Sequence, residues 1–152
     1  MDHTGSGHLL LDDASVDHEA SPLGYLRVAA EFAHGATLAN GHSPTPLVIV
    51  AGANMAHSVE LALRAFLLSK MSPNAVKRAS SRHDLEKLWV EAVAKGLPIG
   101  PTIPRWCRIL NAGHSDPYLF RYPKDNTGVT LPGEGLVELQ CLLDKVGAAI
   151  SV

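Results

Sequence analysis

A glutamate and an arginine four positions apart, Glu60 and Arg64, lie in the middle of a long apolar stretch of the sequence. Residues at this spacing share one face of an α-helix, so the two side chains can pair. Two interpretations follow. Either the pair is a structural ion pair that orients a neighbouring loop, or Glu60 holds the Arg64 guanidinium so that it presents parallel donors to a phosphate.

A histidine, His83, stands where the sequence predicts the start of another helix. The free N–H groups at a helix N-terminus bind anions readily, and a histidine can exchange a proton near neutral pH. His83 is therefore a candidate to donate to a phosphate or to transfer a proton. The structural alternative is a histidine beside the helix cap that bonds a neighbouring carboxylate.

A third candidate lies in a predicted loop, where Arg121 and Tyr122 stand between Asp116-Pro117 and Pro123. A guanidinium beside an aromatic ring can hold a phosphate and stack a base. The structural alternative is a loop held in place by tyrosine packing and by arginine bonds to backbone carbonyls.

The charge of the chain is uneven, although its formal net value is only −2. Residues 1–20 contain five acidic residues and no lysine or arginine, whereas residues 64–108 contain nine lysines and arginines and three acids. A basic segment of this kind can face phosphates, or it can be a solvated helix surface. We expect residues 1–20 to form a disordered acidic tail that also contains histidines, and residues 21–152 to form one domain.

Helices are the only regular elements that the hydrophobic pattern predicts. Proline and capping signals begin helices at Ser21-Pro22, Leu47, Ser81, Thr102 and Pro132, with a loop at residues 72–82 and another at residues 114–131. The segment from Leu47 to Met71 is apolar nearly all round, so it is predicted to be the central buried helix. The fold class is thus all-α, an up-and-down bundle of four to five helices.

The predictions for cellular location and cofactors depend on patterns that the sequence does not contain. Cys107 and Cys141 fit neither a disulfide framework nor a zinc pattern, which predicts two buried free thiols. No stretch is long and apolar enough to span a bilayer, and the start lacks a secretory pattern, so we expect a cytoplasmic protein. A zinc site formed by His57, His83 and His114 is conceivable, but no ligand spacing supports it. We expect no metal and no cofactor.

Three segments, in order, resemble the HEPN family of small helical bundles. They are residues 56–67, AHSVELALRAFL; residues 82–88, RHDLEKL; and residues 118–125, YLFRYPKD. Together they resemble the family's acid-and-basic second helix, its His-Asp-Leu helix opening and its Tyr-x-x-Arg-Tyr-Pro segment. The resemblance extends over roughly residues 47–125.

The resemblance implies a helical bundle that is often a homodimer. Some HEPN proteins bind nucleotides, some pair with nucleotidyltransferase-like proteins, and one branch cleaves RNA with an arginine followed by a histidine after four to six intervening residues. No histidine follows Arg121 at that spacing, so the sequence departs from the cleaving branch there. Arg108 and His114 are the nearest pair that fits, and they remain weak catalytic candidates.

The leading hypothesis is a non-catalytic HEPN-like module that binds a nucleotide or an RNA phosphate between the long helix and the Arg121 loop. Its proposed ligand-binding residues are Glu60, Arg64, His83, Arg121 and Tyr122. One alternative is a metal-independent endoribonuclease, the toxin of a toxin–antitoxin pair, in which a histidine is the general base and an arginine stabilises the phosphorane. A second alternative is a bundle that only binds other proteins, which a large exposed apolar patch without a polar pocket would favour.

Overall fold

The computed structural model describes residues 21–125 and 128–151. Within these ranges the chain forms six α-helices and no strand: α1 (Pro22–Asn40), α2 (Val48–Leu68), α3 (Pro73–Ala79), α4 (Leu85–Ala94), α5 (Arg105–His114) and α6 (Gly135–Ile150). A single 3₁₀ turn, Ser81–His83, lies between α3 and α4. The predicted all-α bundle is confirmed, but it has six α-helices in the described ranges and not the predicted four to five. The prediction for residues 1–20 lies outside the described residues.

The helix α2 is the centre of the bundle, as its apolar composition predicts. It contacts each of the other five α-helices, and thirteen of its residues are buried. Its most extensive interface is with α1, where Ser58 on α2 donates a hydrogen bond of 2.7 Å to the Ala29 carbonyl. Small residues on α1, among them Ala29, Ala33 and Ala36, allow the two helices to approach closely.

The predicted loop at residues 72–82 is wrong, because most of it is helical. Ser72 caps α3 by accepting a hydrogen bond from the Ala75 backbone, Pro73 occupies the first turn, and Val76 is buried against the core. The same cap-and-proline signal begins α1 at Ser21, where the prediction is confirmed. The prediction treated the second signal only as the end of α2.

Several predicted helix ends are displaced. The predicted helix from Leu47 to Met71 ends at Leu68, the helix predicted from Pro132 begins at Gly135, and α5 lies two to three residues later than predicted. Cys107 is buried but Cys141 is exposed, so the prediction of two buried thiols is half wrong. None of the helices in the described ranges is long and apolar enough to cross a membrane.

Candidate functional site

A buried carboxylate, that of Glu60, is the centre of the candidate site. Glu60 lies in the middle of α2, and its side chain is only 1% exposed. Burying an ionised carboxylate has a cost on the order of several kcal/mol unless charge pairing and hydrogen bonds satisfy it. Three side chains supply them: Arg64 one turn further along α2, His83 from the 3₁₀ turn, and His114 from the end of α5.

The contacts of Glu60 show which ring nitrogen of each histidine carries the hydrogen that is donated to the carboxylate. The Nδ1 atom of His83 lies 3.1 Å from each carboxylate oxygen, and the Nε2 atom of His114 lies 2.5 Å from Oε2. The Nη2 atom of Arg64 pairs with Oε1. Because an ionised carboxylate can only accept hydrogen bonds, His83 donates through Nδ1 and His114 donates through Nε2.

The surroundings of Glu60 favour its charged form. Burial raises the pKa of the Glu60 carboxyl, but the hydrogen bonds from His114 and His83 and the positive charge of Arg64 outweigh burial and lower the pKa to about 2. One turn earlier on α2, burial is the main cause that lowers the pKa of His57, although the charge of Glu60 opposes it. At neutral pH the site therefore contains an ionised Glu60 and an uncharged His57.

The backbone that carries His83 has an unusual conformation. Arg82 and His83 both have positive φ angles, 62° and 55°, in the left-handed region. This turn brings the imidazole back over α2, where it meets Glu60. The structure thus shows the alternative in which His83 bonds a neighbouring carboxylate.

The N-terminus of α4 is not available to a ligand. Asp84 caps this helix, and its Oδ1 atom accepts hydrogen bonds from the backbone N–H groups of Glu86 and Lys87. The side chain of Asn111 accepts from the Leu85 N–H and donates to Asp84. The expected anion site at the start of this helix is therefore wrong, because a carboxylate and an amide of the protein already bond these N–H groups. Ser81, the expected cap, lies in the preceding turn.

The loop after α5 supplies an aromatic ring to the site, and this ring belongs to Tyr118. The centroid of the Tyr118 ring lies 6.1 Å from that of His83. Phe120 anchors the loop by packing on Gly113, where an added Cβ would meet the phenyl ring at 2.6 Å, so only glycine fits. Gly113 lies within α5, one residue before the end of the helix.

The two remaining ligand candidates, Arg121 and Tyr122, are exposed side chains on this loop. The charge of Arg121 helps to lower the pKa of His57, and so does the charge of Arg64. The loop and α2 therefore act electrostatically on the same histidine. Tyr122 is 68% exposed.

A groove of about 570 Å³ opens over Arg64 and His83. It lies between α1, α2, α3 and the 3₁₀ turn. The lining residues are Tyr25, Arg64, Leu68, Pro73, Asn74, Val76, Lys77, Ser80, Ser81 and His83. Arg121 and Tyr122 do not line it. The prediction that the ligand site lies between α2 and the Arg121 loop is therefore wrong for this groove. Phe120 packs on Gly113 of α5 and on Gly52 in the first half of α2, whereas Arg64 lies in the second half of α2 and α3 forms one wall of the groove.

The weak catalytic pair, Arg108 and His114, makes contacts at opposite ends of α5. Arg108 is exposed, and its Nη2 atom donates to the Ile103 carbonyl at 3.4 Å. His114 is buried and bonds Glu60. Six residues of an α-helix correspond to a rotation of about 240°, so the two side chains leave the helix in different directions.

Three potential metal ligands converge beside Glu60. The ligand atoms of His57, Glu60 and His114 all lie within 4.8 Å of one another. The zinc site considered from the sequence had His83 in place of Glu60. Carboxylate and imidazole are suitable ligands for zinc. However, Glu60 already accepts a hydrogen bond from His114 and pairs with Arg64, so a cation would have to break that bond and face the guanidinium. The arrangement is best described as a hydrogen-bonded ion cluster.

Comparison of the chain with protein-family models, with curated proteins and with solved structures found no match. The resemblance to the HEPN family therefore stays an expectation from the sequence. The function has to be argued from the side chains of the site.

Proposed function

We propose that the protein binds the phosphate of a nucleotide or of RNA in the groove over Arg64 and His83, as a non-catalytic HEPN-like module, and we call this groove the phosphate groove. One observation carries the proposal: Arg64 and His83 line the groove while the buried carboxylate of Glu60 holds both. Among the described residues, no carboxylate side chain lines this groove. A groove with cationic walls and a buried counter-charge attracts an anion and presents its donors in a fixed geometry.

Arg64 has hydrogen-bonding capacity to spare. Its Nη2 atom pairs with Glu60, and its side chain is 23% exposed, so part of the guanidinium is accessible. The Nε atom is buried, and within the described part of the chain no acceptor bonds it. An unmet buried donor costs about 1–3 kcal/mol, which a small shift toward a ligand oxygen would offset.

The other walls complete a site for a nucleotide. Lys77 adds a compact positive charge, and His83 has Nε2 available because its Nδ1 bonds Glu60. Tyr25 offers an aromatic ring on which a base can stack, and Leu68 adds an apolar wall. The groove volume of about 570 Å³ is in the range that holds small ligands.

The test is calorimetric titration of the protein with AMP at low salt. We expect binding by the wild type, a loss of about tenfold or more in Lys77→Gln and in Arg64→Lys, and no change in Arg27→Gln. Arg64→Lys keeps the charge but loses the planar fork. Arg27 is an exposed cation on α1, and its ion-pair partner in the described part of the chain is Glu31. Absence of AMP binding by the folded wild type would contradict the proposal, as would wild-type affinity in both groove variants.

A second candidate function, a metal-independent ribonuclease, is favoured by one observation. Glu60 holds His83 through Nδ1, the arrangement that leaves Nε2 able to take a proton from a ribose 2′-hydroxyl while Arg64 and Lys77 stabilise the phosphorane. The catalytic histidine would then be His83. Incubation of labelled RNA with the wild type and with His83→Asn separates the candidates, because cleavage that depends on His83 would replace the binding function with an enzymatic one.

The predicted homodimer and the nucleotidyltransferase-like partner stay predictions from the resemblance. A purely protein-binding bundle is less favoured, since the structure contains the polar groove that this alternative lacks. Exposed apolar side chains do occur near the junction of α1 and α2, namely Leu38, Leu47 and Val50. Light scattering of the full chain measures whether two copies associate.

A further inference from the structure

A second basic groove, which we call the lysine groove, lies on another side of the end of α2. It has a volume of about 440 Å³, and three lysines from three different elements surround it: Lys70 after α2, Lys95 after α4, and Lys145 on α6. The remaining lining residues are Phe66, Gly96, Pro98, Ala148 and Ala149. All of these are uncharged, so the groove combines three ammonium groups with an apolar floor.

The three lysines have no acidic partner in the described part of the chain. None of the ion pairs in the described residues includes Lys70, Lys95 or Lys145. The ammonium group of Lys70 lies over an aromatic ring, with its Nζ 5.7 Å from the centroid of the Phe66 ring. Like charges around a partly apolar groove repel one another. A bound polyanion removes this repulsion, whereas a single carboxylate would balance only one of the three charges.

The two grooves lie at the same end of the bundle. Tyr25 in the phosphate groove belongs to the start of α1, and Leu68 is the last residue of α2. In the lysine groove, Lys70 follows the end of α2, Lys95 follows the end of α4, and Ala149 is next to the last residue of α6. Both grooves therefore adjoin the C-terminal end of α2, with Leu68 in one and Lys70 in the other.

We propose that the lysine groove binds further phosphates of a single nucleic-acid strand whose first phosphate lies over Arg64 and His83. This inference rests on the proposed function, and it names the ligand as a strand and not a mononucleotide. Lysines act as point charges without the planar fork of arginine, so this groove would hold the backbone without reading bases. The apolar floor, which includes Pro98 and Ala148, can contact the sugars.

The experiment compares two charge-matched double variants, Lys95→Gln with Lys145→Gln and, as the control, Arg27→Gln with Arg105→Gln. Both control residues are exposed and line neither groove. Fluorescence anisotropy measures binding of labelled single strands of about 12 nucleotides, of RNA and of DNA in separate arms, over a range of salt concentrations. Calorimetry measures AMP binding by the same proteins.

For the lysine variant we expect about tenfold weaker strand binding at low salt and unchanged AMP binding. The slope of log K against log salt should fall in magnitude by about 0.7 for each phosphate that the variant no longer neutralises, hence by about 1.4 for two lysines. The control variant should keep the wild-type slope. Binding in both arms identifies the shared backbone as the ligand, and binding of RNA alone identifies a ribose-dependent strand.

An unchanged slope and affinity in the lysine variant would overturn this inference, and so would an equal loss in the control, which would show only a general charge effect. Neither result would affect AMP binding, by which the proposed function is judged. Conversely, if the folded wild type fails to bind AMP, the phosphate groove is refuted first, and the inference that depends on it is refuted too.

Discussion

The phosphate groove and the lysine groove are both cationic, but they hold their charges differently. In the phosphate groove a buried carboxylate fixes Arg64 and His83 from behind, with His83 Nδ1 3.1 Å from both oxygens of Glu60. In the lysine groove, Lys95 after α4 and Lys145 on α6 take part in no ion pair among the described residues.

This difference would give the two grooves different roles toward an anion: one would recognise its geometry, and the other would only attract its charge. Donors that are already held in place lose little conformational entropy when they bind, so under the proposed function the phosphate groove would select one anion geometry. Unpaired lysines on flexible stems provide a force that salt screens and that tolerates many arrangements of phosphates. The fixed arrangement requires a buried charge on Glu60. A change at Glu60 should therefore alter both the free energy of unfolding and the proposed anion binding, whereas a change at the lysines should alter only the binding.

The largest effect is expected from removing the Glu60 carboxylate. Glu60→Ala leaves Arg64 and two imidazoles without their common acceptor, and breaking a buried ion pair by losing one partner costs about 3–5 kcal/mol in the free energy of unfolding. Glu60→Gln keeps the shape and one acceptor oxygen, so a smaller loss, on the order of 1–3 kcal/mol, is expected. Urea denaturation followed by circular dichroism measures both variants. A loss below about 1 kcal/mol in Glu60→Ala would show that the cluster is not a structural anchor.

The next effect is a loss of stability on acidification. The pKa of Glu60 is about 2 in the folded chain against an ordinary 4.5, so its stabilisation is complete above pH 4.5 and is lost as the pH falls toward 2. By linkage this amounts to roughly 3 kcal/mol. His57 acts in the same direction, because its pKa is lowered from 6.5: the unfolded chain takes up this proton first, so stability begins to fall below about pH 6.5.

Denaturation midpoints measured from pH 7 to pH 2 test this dependence. In Glu60→Gln the part of the decline between pH 4.5 and pH 2 should be weaker, while the part that His57 causes should remain and grow, because the charge of Glu60 opposes the lowering of the His57 pKa. A variant whose profile is superimposable on that of the wild type would contradict the assigned role of Glu60.

The smallest effect is expected at the lysine groove. Lys95→Gln and Lys145→Gln each remove an exposed charge that has no ion-pair partner in the described structure, so stability should change by no more than about 0.5 kcal/mol. Relief of repulsion between the lysines would make this change favourable at low salt. The same urea assay at low and at high salt measures it, and a loss above about 1 kcal/mol would show that these lysines are also structural.

All the helices except α3 could be predicted from the sequence because each of them has a local signal. Ser21 and Pro22 begin α1, and the apolar circumference of α2 predicts that it is central. The short α3 was missed because its signal, Ser72-Pro73, also ends the preceding helix. A cap followed by proline can both end one helix and begin another, and only the burial of Val76 distinguishes the two cases.

The site could be predicted only in part. The spacing of Glu60 and Arg64 predicts their pairing, and the structure shows it. The role of His114 is a long-range contact, 54 residues from Glu60 in sequence, which no local pattern contains. One signal for its burial was present, because His114 continues the buried stripe of Trp106 and Leu110 at a spacing of four residues.

The two consecutive left-handed residues, Arg82 and His83, have a consequence for how the site can fail. A left-handed backbone costs about 1–2 kcal/mol for a residue with a side chain, and such a conformation persists only where its surroundings impose it. Here the bond from His83 to Glu60 provides that constraint. A ligand, a mutation or acid that releases this bond would let the turn relax to an ordinary conformation, and the groove would then lose its imidazole and its wall in a single step.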